Sequence, residues 1–280
     1  MNALAFGEYK KKRWAWIALA FFLFIALSVL IYVFFVLQHD PLLVNLEERL
    51  LPSSALHPLG TDHLGRDVLT RLLLGSGYTV GYGLLALLAA VAIGLPFGLL
   101  SGLKGGVIDR LFMRIADAFL AFPDTIVAIV LSGLLGAGME NLLLAIVLVK
   151  WVSYARLARS TVLTEKRKDY MLAASINGLS TWKVMRKHLF PHVAGHVLVL
   201  ASLDLGKIIL LISALSYIGL GAQPPVPEWG AMLNDARPHF QSTPSLMLYP
   251  GLAIVCVVLI SNVAGDFFRD RFDVKKDVRK

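Results

Sequence analysis

The chain has 280 residues, of which 57% are apolar and only 16% are charged. An ordinary soluble domain has about 45–50% apolar and about 25% charged residues, so the composition excludes that class and favours a polytopic membrane protein. The apolar content also excludes a disordered chain, which lacks apolar surface to bury. The one cysteine, Cys256, excludes a disulfide framework and a cysteine-based metal site.

Six apolar segments are each long enough, or nearly so, to cross the ~30 Å hydrocarbon layer as a helix. The first follows a basic run at residues 10–13 and has no small-residue cleavage site behind it, which predicts an uncleaved helix rather than a signal peptide. The chain is therefore predicted to be an all-α membrane protein with six transmembrane helices. The predicted spans are 14–37, 78–103, 112–135, 142–158, 193–220 and 246–268.

The placement of lysine and arginine predicts the orientation. With a cytoplasmic N-terminus, twenty-one of the 27 basic residues fall in inside segments, four fall outside and two lie within spans. Because positive residues favour the cytoplasmic side, both termini are predicted to be cytoplasmic. The net charge of +8 is thus interpreted as a topology signal, and nucleic acid is not expected as a partner.

The longest inside segment, about 165–191, has the pattern of a helical elbow. Residues 169–174 are good helix formers, and Gly178 can adopt the left-handed conformation that ends a helix. Ser180 or Thr181 can then cap a second short helix before Pro191. The small residues at the bend allow another surface to approach closely. A docking site and an amphipathic elbow at the membrane interface are both consistent with this pattern.

This elbow resembles the coupling loop of binding-protein-dependent ABC importer permeases, in which two alanines and a glycine precede a proline. The matching residues are Ala173, Ala174, Gly178 and Pro191, with His188 at a position that is usually aliphatic. The resemblance implies a single permease domain over residues 1–280 with the type I ABC importer permease fold. It also implies that the elbow couples the chain to ATPase subunits.

Further motifs in the same order resemble the peptide/nickel group of these permeases, specifically its C-type subunit. They are the segments 57–67, 220–230, 250–253 and 265–270. The segments 200–207 and 234–237 are more similar to nickel and opine-metallophore permeases. The resemblance implies import of nickel, cobalt or a metal-chelate complex across the bacterial inner membrane, with di- or oligopeptides as the alternative cargo.

No ATPase or enzyme motif accompanies these features. A Gly-x-x-x-x-Gly-Lys-Ser/Thr phosphate loop is missing, so ATP and Mg are expected to be used by other subunits, and no catalytic residue is predicted. The seven histidines lack ligand spacing, so neither a metal nor a cofactor is expected on this chain. The resemblance implies four partners besides membrane lipid: a B-type permease subunit, two ATP-binding subunits and an extracellular solute-binding protein.

The charged residues Lys150, Asp204 and Lys207 fall near the middle of the fourth and fifth predicted spans. An unpaired charge at membrane depth costs at least ~2.5–3.5 kcal/mol on insertion scales, so each needs a partner or water. One hypothesis is that they line the translocation path, where a lysine meets the carboxylates of a metal chelate. The alternative is that Asp204 pairs with a lysine to brace two helices.

The segment from Gln223 to Trp229 contains Pro224, Pro225 and Pro227 and is predicted to be a stiff extracellular loop. Docking of the solute-binding protein and capping of the helix bundle are compatible roles for it. The candidate docking residues are Gln223, Pro224, Pro225, Glu228 and Trp229.

Two helix features complete the prediction. Pro123, between Asp117 and Asp124, predicts a kink or break in the third span, as packing geometry or as a gate. Glycines recurring every four residues at 94, 98 and 102, and at 77 and 81, predict close helix packing. A secondary transporter would instead show internal repeats, and none is evident.

Overall fold

The computed structural model describes residues 40–171 and 179–272, and every regular element in these ranges is helical. The predicted first span and the residues Ala173, Ala174 and Gly178 lie outside them. The chain divides into two compact units, which meet in sequence between Gly75 and Ser76. The main helices are α1 (Val68–Lys104), α2 (Gly106–Leu120), α3 (Asp124–Leu135), α4 (Met139–Glu165), α5 (Thr181–Val184), α6 (Phe190–Tyr217), α7 (Trp229–Ala236) and α8 (Ser245–Phe272).

In the first unit, the motif at 57–67 folds around buried polar side chains. The Asp62 carboxylate accepts hydrogen bonds from the backbone N–H groups of Leu64 and Arg66 and forms an ion pair of 2.7 Å with the Arg66 guanidinium. Asp67 accepts from the backbone and hydroxyl of Thr70 and contacts Nδ1 of His57 at 3.0 Å. These contacts give the motif a structural role as a rigid loop before α1.

Four helices of the described chain are long and apolar enough to cross a membrane, namely α1, α4, α6 with the preceding residues from Met185, and α8. They correspond to four of the predicted spans. The second unit is centred on α4 and α6, whose side chains Leu142, Ile146, Ile208 and Ile212 are almost completely buried. The long α8 packs along α6. The six-span prediction therefore has four straight counterparts here.

The predicted third span, 112–135, is a broken pair rather than one helix. α2 and α3 are bent by 88° about a break of three residues. Pro123 lies at the break with an extended ψ of 134°, and a proline disfavours helical geometry in the residue before it. Counting the bent pair as one span gives up to five spans in the described residues. The predicted break at Pro123 is confirmed.

The glycine stripe of α1 packs directly on α4. A Cβ atom at Gly98 would lie 2.7 Å from Cβ of Ala158, and one at Gly102 would lie 2.8 Å from Cβ of Val162. A Cβ atom at Gly94 would lie nearer still to the backbone carbonyl oxygen of Trp151. Because any side chain would separate the helices, the predicted close packing is confirmed at these three positions. At Gly77 and Gly81 an added Cβ would meet no atom within 4 Å.

Candidate functional site

A polar cluster joins α4 to α6 inside the helix bundle. The Asp204 carboxylate, with a side chain only 6% exposed, accepts a hydrogen bond of 3.1 Å from the Tyr154 hydroxyl. Its other oxygen contacts Nζ of Lys207 at 3.3 Å. Lys207 lies on the same helix and its side chain is 65% exposed. The link between helices is therefore made by Tyr154, which sequence reasoning did not single out, and the lysine points away from the core.

A second ion pair stands at the break between α2 and α3. Nζ of Lys150 lies 2.8 Å from Oδ2 of Asp124, the first residue of α3. The lysine side chain is 11% exposed and the aspartate side chain 40%. A carboxylate in the first turn of a helix also interacts favourably with the helix dipole. Lys150 and the break are thus parts of one arrangement, which spacing alone did not reveal.

A third pair lies at the start of α2. Arg159 of α4 binds Asp109 with two hydrogen bonds of 2.5 and 2.7 Å, and the Ser101 hydroxyl of α1 donates to the same carboxylate. Two parallel hydrogen bonds between a guanidinium and a carboxylate fix geometry as well as charge. The contact ties together α1, α2 and α4. Sequence analysis had assigned Arg159 only to the inside charge of the chain.

The segment from Gln223 to Trp229 divides into two parts. Gln223, Pro224 and Pro225 are exposed, while Glu228 and Trp229 are buried. The Glu228 carboxylate accepts from the backbone N–H of Ala231 at 3.0 Å and so caps α7. The exposed part can contact another protein. The buried part holds the loop against the bundle, so Glu228 and Trp229 do not offer the exposed docking surface predicted for them, and docking stays a prediction for Gln223, Pro224 and Pro225.

The described residues of the elbow, on either side of 172–178, form a cluster around Tyr170. Its hydroxyl donates to Glu165 at 2.5 Å, and its ring lies 5.8 Å from that of His188 and 6.4 Å from that of His192. Burial, and then the hydrogen bond to Glu165, raises the pKa of the Tyr170 hydroxyl to about 12. The two segments that flank residues 172–178 are therefore in contact through these three rings.

The chain geometry around the elbow shows two further features. His188 lies in a π-helical turn, Met185–Leu189, and Pro191 follows it as the second residue of α6. The ammonium of Lys166, just after α4, donates to the last carbonyls of α1, at Gly102 (3.2 Å) and Leu103 (2.9 Å). Both α1 and α6 are therefore connected to the start of the elbow.

The described residues contain no group of three or more His, Cys, Asp or Glu side chains that could hold a metal ion. The polar groups found instead are carboxylates paired with cations, on neighbouring helices for Asp124 and Asp109 and on the same helix for Asp204. Such an arrangement can guide a charged solute or brace a bundle. It contains no nucleophile activated by a neighbouring base, as covalent catalysis would need.

A family model described as "Binding-protein-dependent transport system inner membrane component" matches residues 94–278. The chain belongs to this family, which confirms the resemblance found in its motifs. It is therefore a multi-pass permease of the bacterial inner membrane.

Curated relatives narrow the class to the peptide/nickel group of ABC importer permeases. The chain is 40% identical over 237 residues to the nickel transport system permease protein NikC of Escherichia coli K12, covering 85% of this chain and 86% of NikC. It is 40% identical over 224 residues to the glutathione transport system permease protein GsiD of Pectobacterium atrosepticum, covering 80% and 74%. The dipeptide transport system permease protein DppC of Alkalihalophilus pseudofirmus is 37% identical over 278 residues, covering 97% and 89%.

Among solved structures, a chain of the MetNI methionine ABC transporter in an inward-facing conformation has a similar fold. The TM-score is 0.58 at 18% identity, and the match covers 73% of this chain and 97% of that one. At this identity the likeness concerns the fold alone. It agrees with the helical architecture described above.

Proposed function

We propose that this chain is the permease subunit of an ATP-driven importer whose cargo is nickel or cobalt, carried as a complex with a small organic chelator. The observation that carries the cargo proposal is the exposed ammonium of Lys207 beside the buried carboxylate of Asp204. The similarity to NikC supports a nickel cargo. GsiD and DppC support the peptide alternative to the same degree.

The exposure of Lys207 favours a position on the translocation path. Its side chain is 65% exposed although α6 is long and apolar enough to span the membrane. An ammonium facing hydrocarbon at that depth would cost at least ~2.5–3.5 kcal/mol, so polar surroundings must cover it in the assembled transporter. A water-filled path between two permease subunits supplies such surroundings.

The charge of Lys207 also bears on the form of the cargo. An ammonium repels a hydrated divalent cation and attracts a carboxylate, at about 1 kcal/mol for unit charges 4 Å apart in water and more in a less polar path. A chelate with free carboxylates is therefore a better cargo than a bare metal ion. A peptide also carries a carboxylate at its C-terminus, which keeps di- and oligopeptides as the second candidate. The similarity to DppC over 97% of this chain supports that candidate.

The elbow is the proposed contact with the ATPases. Two ATP-binding subunits, which would use ATP and Mg, dock around Ala173, Ala174 and Gly178, while this chain holds no cofactor of its own. Within the elbow, the ring of Tyr170 contacts that of His188, and Pro191 follows at the start of α6. Movement of the elbow on ATP binding would thus be passed to α6. With both termini cytoplasmic, this end of α6 faces the cytoplasm.

The remaining partners follow from the same proposal. A B-type permease subunit completes the path, and an extracellular solute-binding protein delivers the cargo at the exposed residues Gln223, Pro224 and Pro225. Lys150 and Asp124, at the break between α2 and α3, form a second charged position along the path. Alternation between inward- and outward-open states would then arise from rocking of packed helices.

The test is transport by the purified complex in liposomes with its solute-binding protein present. The probes are nickel chloride, nickel with excess citrate, and an unlabelled dipeptide as competitor. ATP-dependent uptake of nickel that requires citrate, and that the dipeptide leaves unchanged, supports the chelate cargo. ATP-dependent uptake of the dipeptide in labelled form, without any uptake of nickel, would instead select the peptide cargo.

The assignment to ABC importers is tested separately, by the subunit composition of the purified complex and by the energy source for transport. Two ATP-binding subunits should co-purify with the chain in stoichiometric amounts. Transport by the chain alone under an ion gradient would contradict the proposal and support a secondary transporter.

A further inference from the structure

Glu228 carries a fully buried carboxylate at the point where the loop after α6 meets two long helices. Its relative exposure is 0%. A buried carboxylate is costly unless hydrogen bonds replace its water, so each of its contacts contributes to holding it there. Its partners come from three different parts of the second unit.

The contacts of Glu228 are specific. Oε1 accepts from the Thr79 hydroxyl of α1 at 3.0 Å and from the Ser213 hydroxyl of α6 at 3.4 Å, and Oε2 accepts from the backbone N–H of Ala231 at 3.0 Å. The Thr79 hydroxyl oxygen in turn accepts from the backbone N–H of Trp229 at 3.1 Å. One carboxylate and one hydroxyl therefore join α1, α6 and α7.

The base of the loop cannot move independently of α6. Gly230 lies so close to that helix that a Cβ atom would be 2.6 Å from Cα of Ser213 and nearer still to the Ser213 carbonyl oxygen. On the other side of Glu228, the buried Pro227 and the exposed Pro224 and Pro225 restrict φ and stiffen the segment. A displacement applied to the prolines is therefore passed to α1 and α6 instead of being absorbed in the loop.

Resting on the proposed function, we infer that Glu228 is a positioning residue that transmits docking of the solute-binding protein at Gln223–Pro225 to α1 and α6. Along α6, Asp204 lies nine residues before Ser213, about 13 Å along the helix axis. The same helix begins at Phe190, beside the elbow. Docking on the outside is thereby linked mechanically to the charged cluster and to the ATPase end of the transporter.

The experiment uses the whole complex in nanodiscs and measures ATP hydrolysis as its solute-binding protein is titrated. Two quantities are compared: the concentration for half-maximal stimulation, and the maximal ratio of stimulated to basal hydrolysis. Glu228→Gln replaces one of the two acceptor oxygens by an NH2 donor, which then faces either the Ala231 N–H or the Thr79 and Ser213 hydroxyls that now donate to Oε1. Thr79→Val removes one hydroxyl at nearly constant volume. Both are expected to lower the maximal ratio by at least about fivefold while half-saturation stays within about twofold.

Matched variants separate transmission from docking and from folding. Thr79→Ser keeps the hydroxyl and should retain wild-type stimulation. Ser202→Ala is the matched control, because it removes a hydroxyl whose hydrogen bonds stay within α6. Gln223→Ala should raise the half-saturating concentration without lowering the maximal ratio. Ser213→Ala, which removes the longest of the contacts, should give a smaller reduction and serves if Glu228→Gln fails to assemble.

The outcomes that overturn the inference are distinct. Wild-type stimulation in both Glu228→Gln and Thr79→Val, or an equal loss in Thr79→Ser and Thr79→Val, means that the hydrogen bonds do not transmit docking. A change confined to half-saturation means that Glu228 belongs to the docking surface. A wild-type complex that its binding protein does not stimulate refutes the proposed function itself, and this inference with it.

Discussion

Replacing Lys207 with methionine separates a role on the path from a role in stability. The Lys207–Asp204 contact is 3.3 Å long and the lysine side chain is 65% exposed. An ion pair with an exposed partner contributes about 0.2–1 kcal/mol, but the Asp204 carboxylate left behind is only 6% exposed, so Lys207→Met is expected to lower stability to some extent. Asp204 keeps its hydrogen bond from Tyr154 in this variant.

The expected effect on transport is larger. If the ammonium contacts a cargo carboxylate, its removal deletes a charge-assisted hydrogen bond worth about 1.5–3 kcal/mol. At about 1.4 kcal/mol per factor of ten, kcat/KM for uptake should fall by roughly 10- to 150-fold. Lys207→Arg keeps the positive charge and should retain most of the activity.

The assay is ATP-dependent uptake into liposomes, with the amount of assembled complex and its thermal unfolding measured in parallel. The cargo is offered with its free carboxylate and as the neutral amide, and the discrimination between the two should weaken in Lys207→Met. The reasoning is refuted if Lys207→Met transports like the wild type, or if it loses uptake only in proportion to lost assembly.

Three further predictions concern packing and charge. Gly98→Ala should destabilise the complex by about 1–3 kcal/mol, lowering the temperature of thermal unfolding, whereas Gly81→Ala should not, because only Gly98 has close neighbours. Asp124→Asn should destabilise it more than Lys150→Met, since the lysine left behind is the more buried partner; equal losses in thermal unfolding would contradict this. Tyr170→Phe should lower the stability of the complex at pH 8, and its difference in stability from the wild type should shrink as the pH rises from about 10 to about 12. The reason is that folding raises the pKa of Tyr170 from about 10 to about 12, so the stability gained from its protonated hydroxyl is lost over that interval. A difference that stays constant from pH 8 to 12 would refute it.

Local patterns predicted the helices well. An apolar run such as 246–268 is almost sufficient by itself to define a span, and α8 extends it by one residue at its start and four at its end. Pro123 likewise acts on its own backbone, so the break was visible in the sequence. The angle of that break was not, because the 88° bend depends on how α2 and α3 pack against α4.

The pairings within the site depend on contacts between distant residues. Tyr154 and Asp204 are 50 positions apart, and Thr79 and Glu228 are 149 positions apart. No spacing rule connects such positions, since helix periodicity relates only neighbours on one helix. Asp204 and Lys207 were predicted to share a face because they are three residues apart, and their contact confirms it.

The buried end of the segment from Gln223 to Trp229 also could not be predicted from the sequence. Three prolines in five residues indicate a stiff exposed loop, and Gln223 to Pro225 are exposed as expected. A glutamate following them reads as one more surface charge. Its burial is decided by two hydroxyls on other helices, and residues as common as Thr79 and Ser213 give no signal in a single sequence.

The ammonium of Lys166 makes the end of α1 and the start of the elbow one mechanical element. Separating them breaks two hydrogen bonds, each contributing about 0.5–1.5 kcal/mol net. A displacement of the elbow without α1 therefore costs about 1–3 kcal/mol more than one in which α1 moves with it. Under the proposed coupling role, a movement of the elbow would act on α6 through the backbone and on α1 through a side chain. A rigid-body rotation of both helices is then the lower-energy response to that displacement, and bending of α6 alone is the higher-energy response.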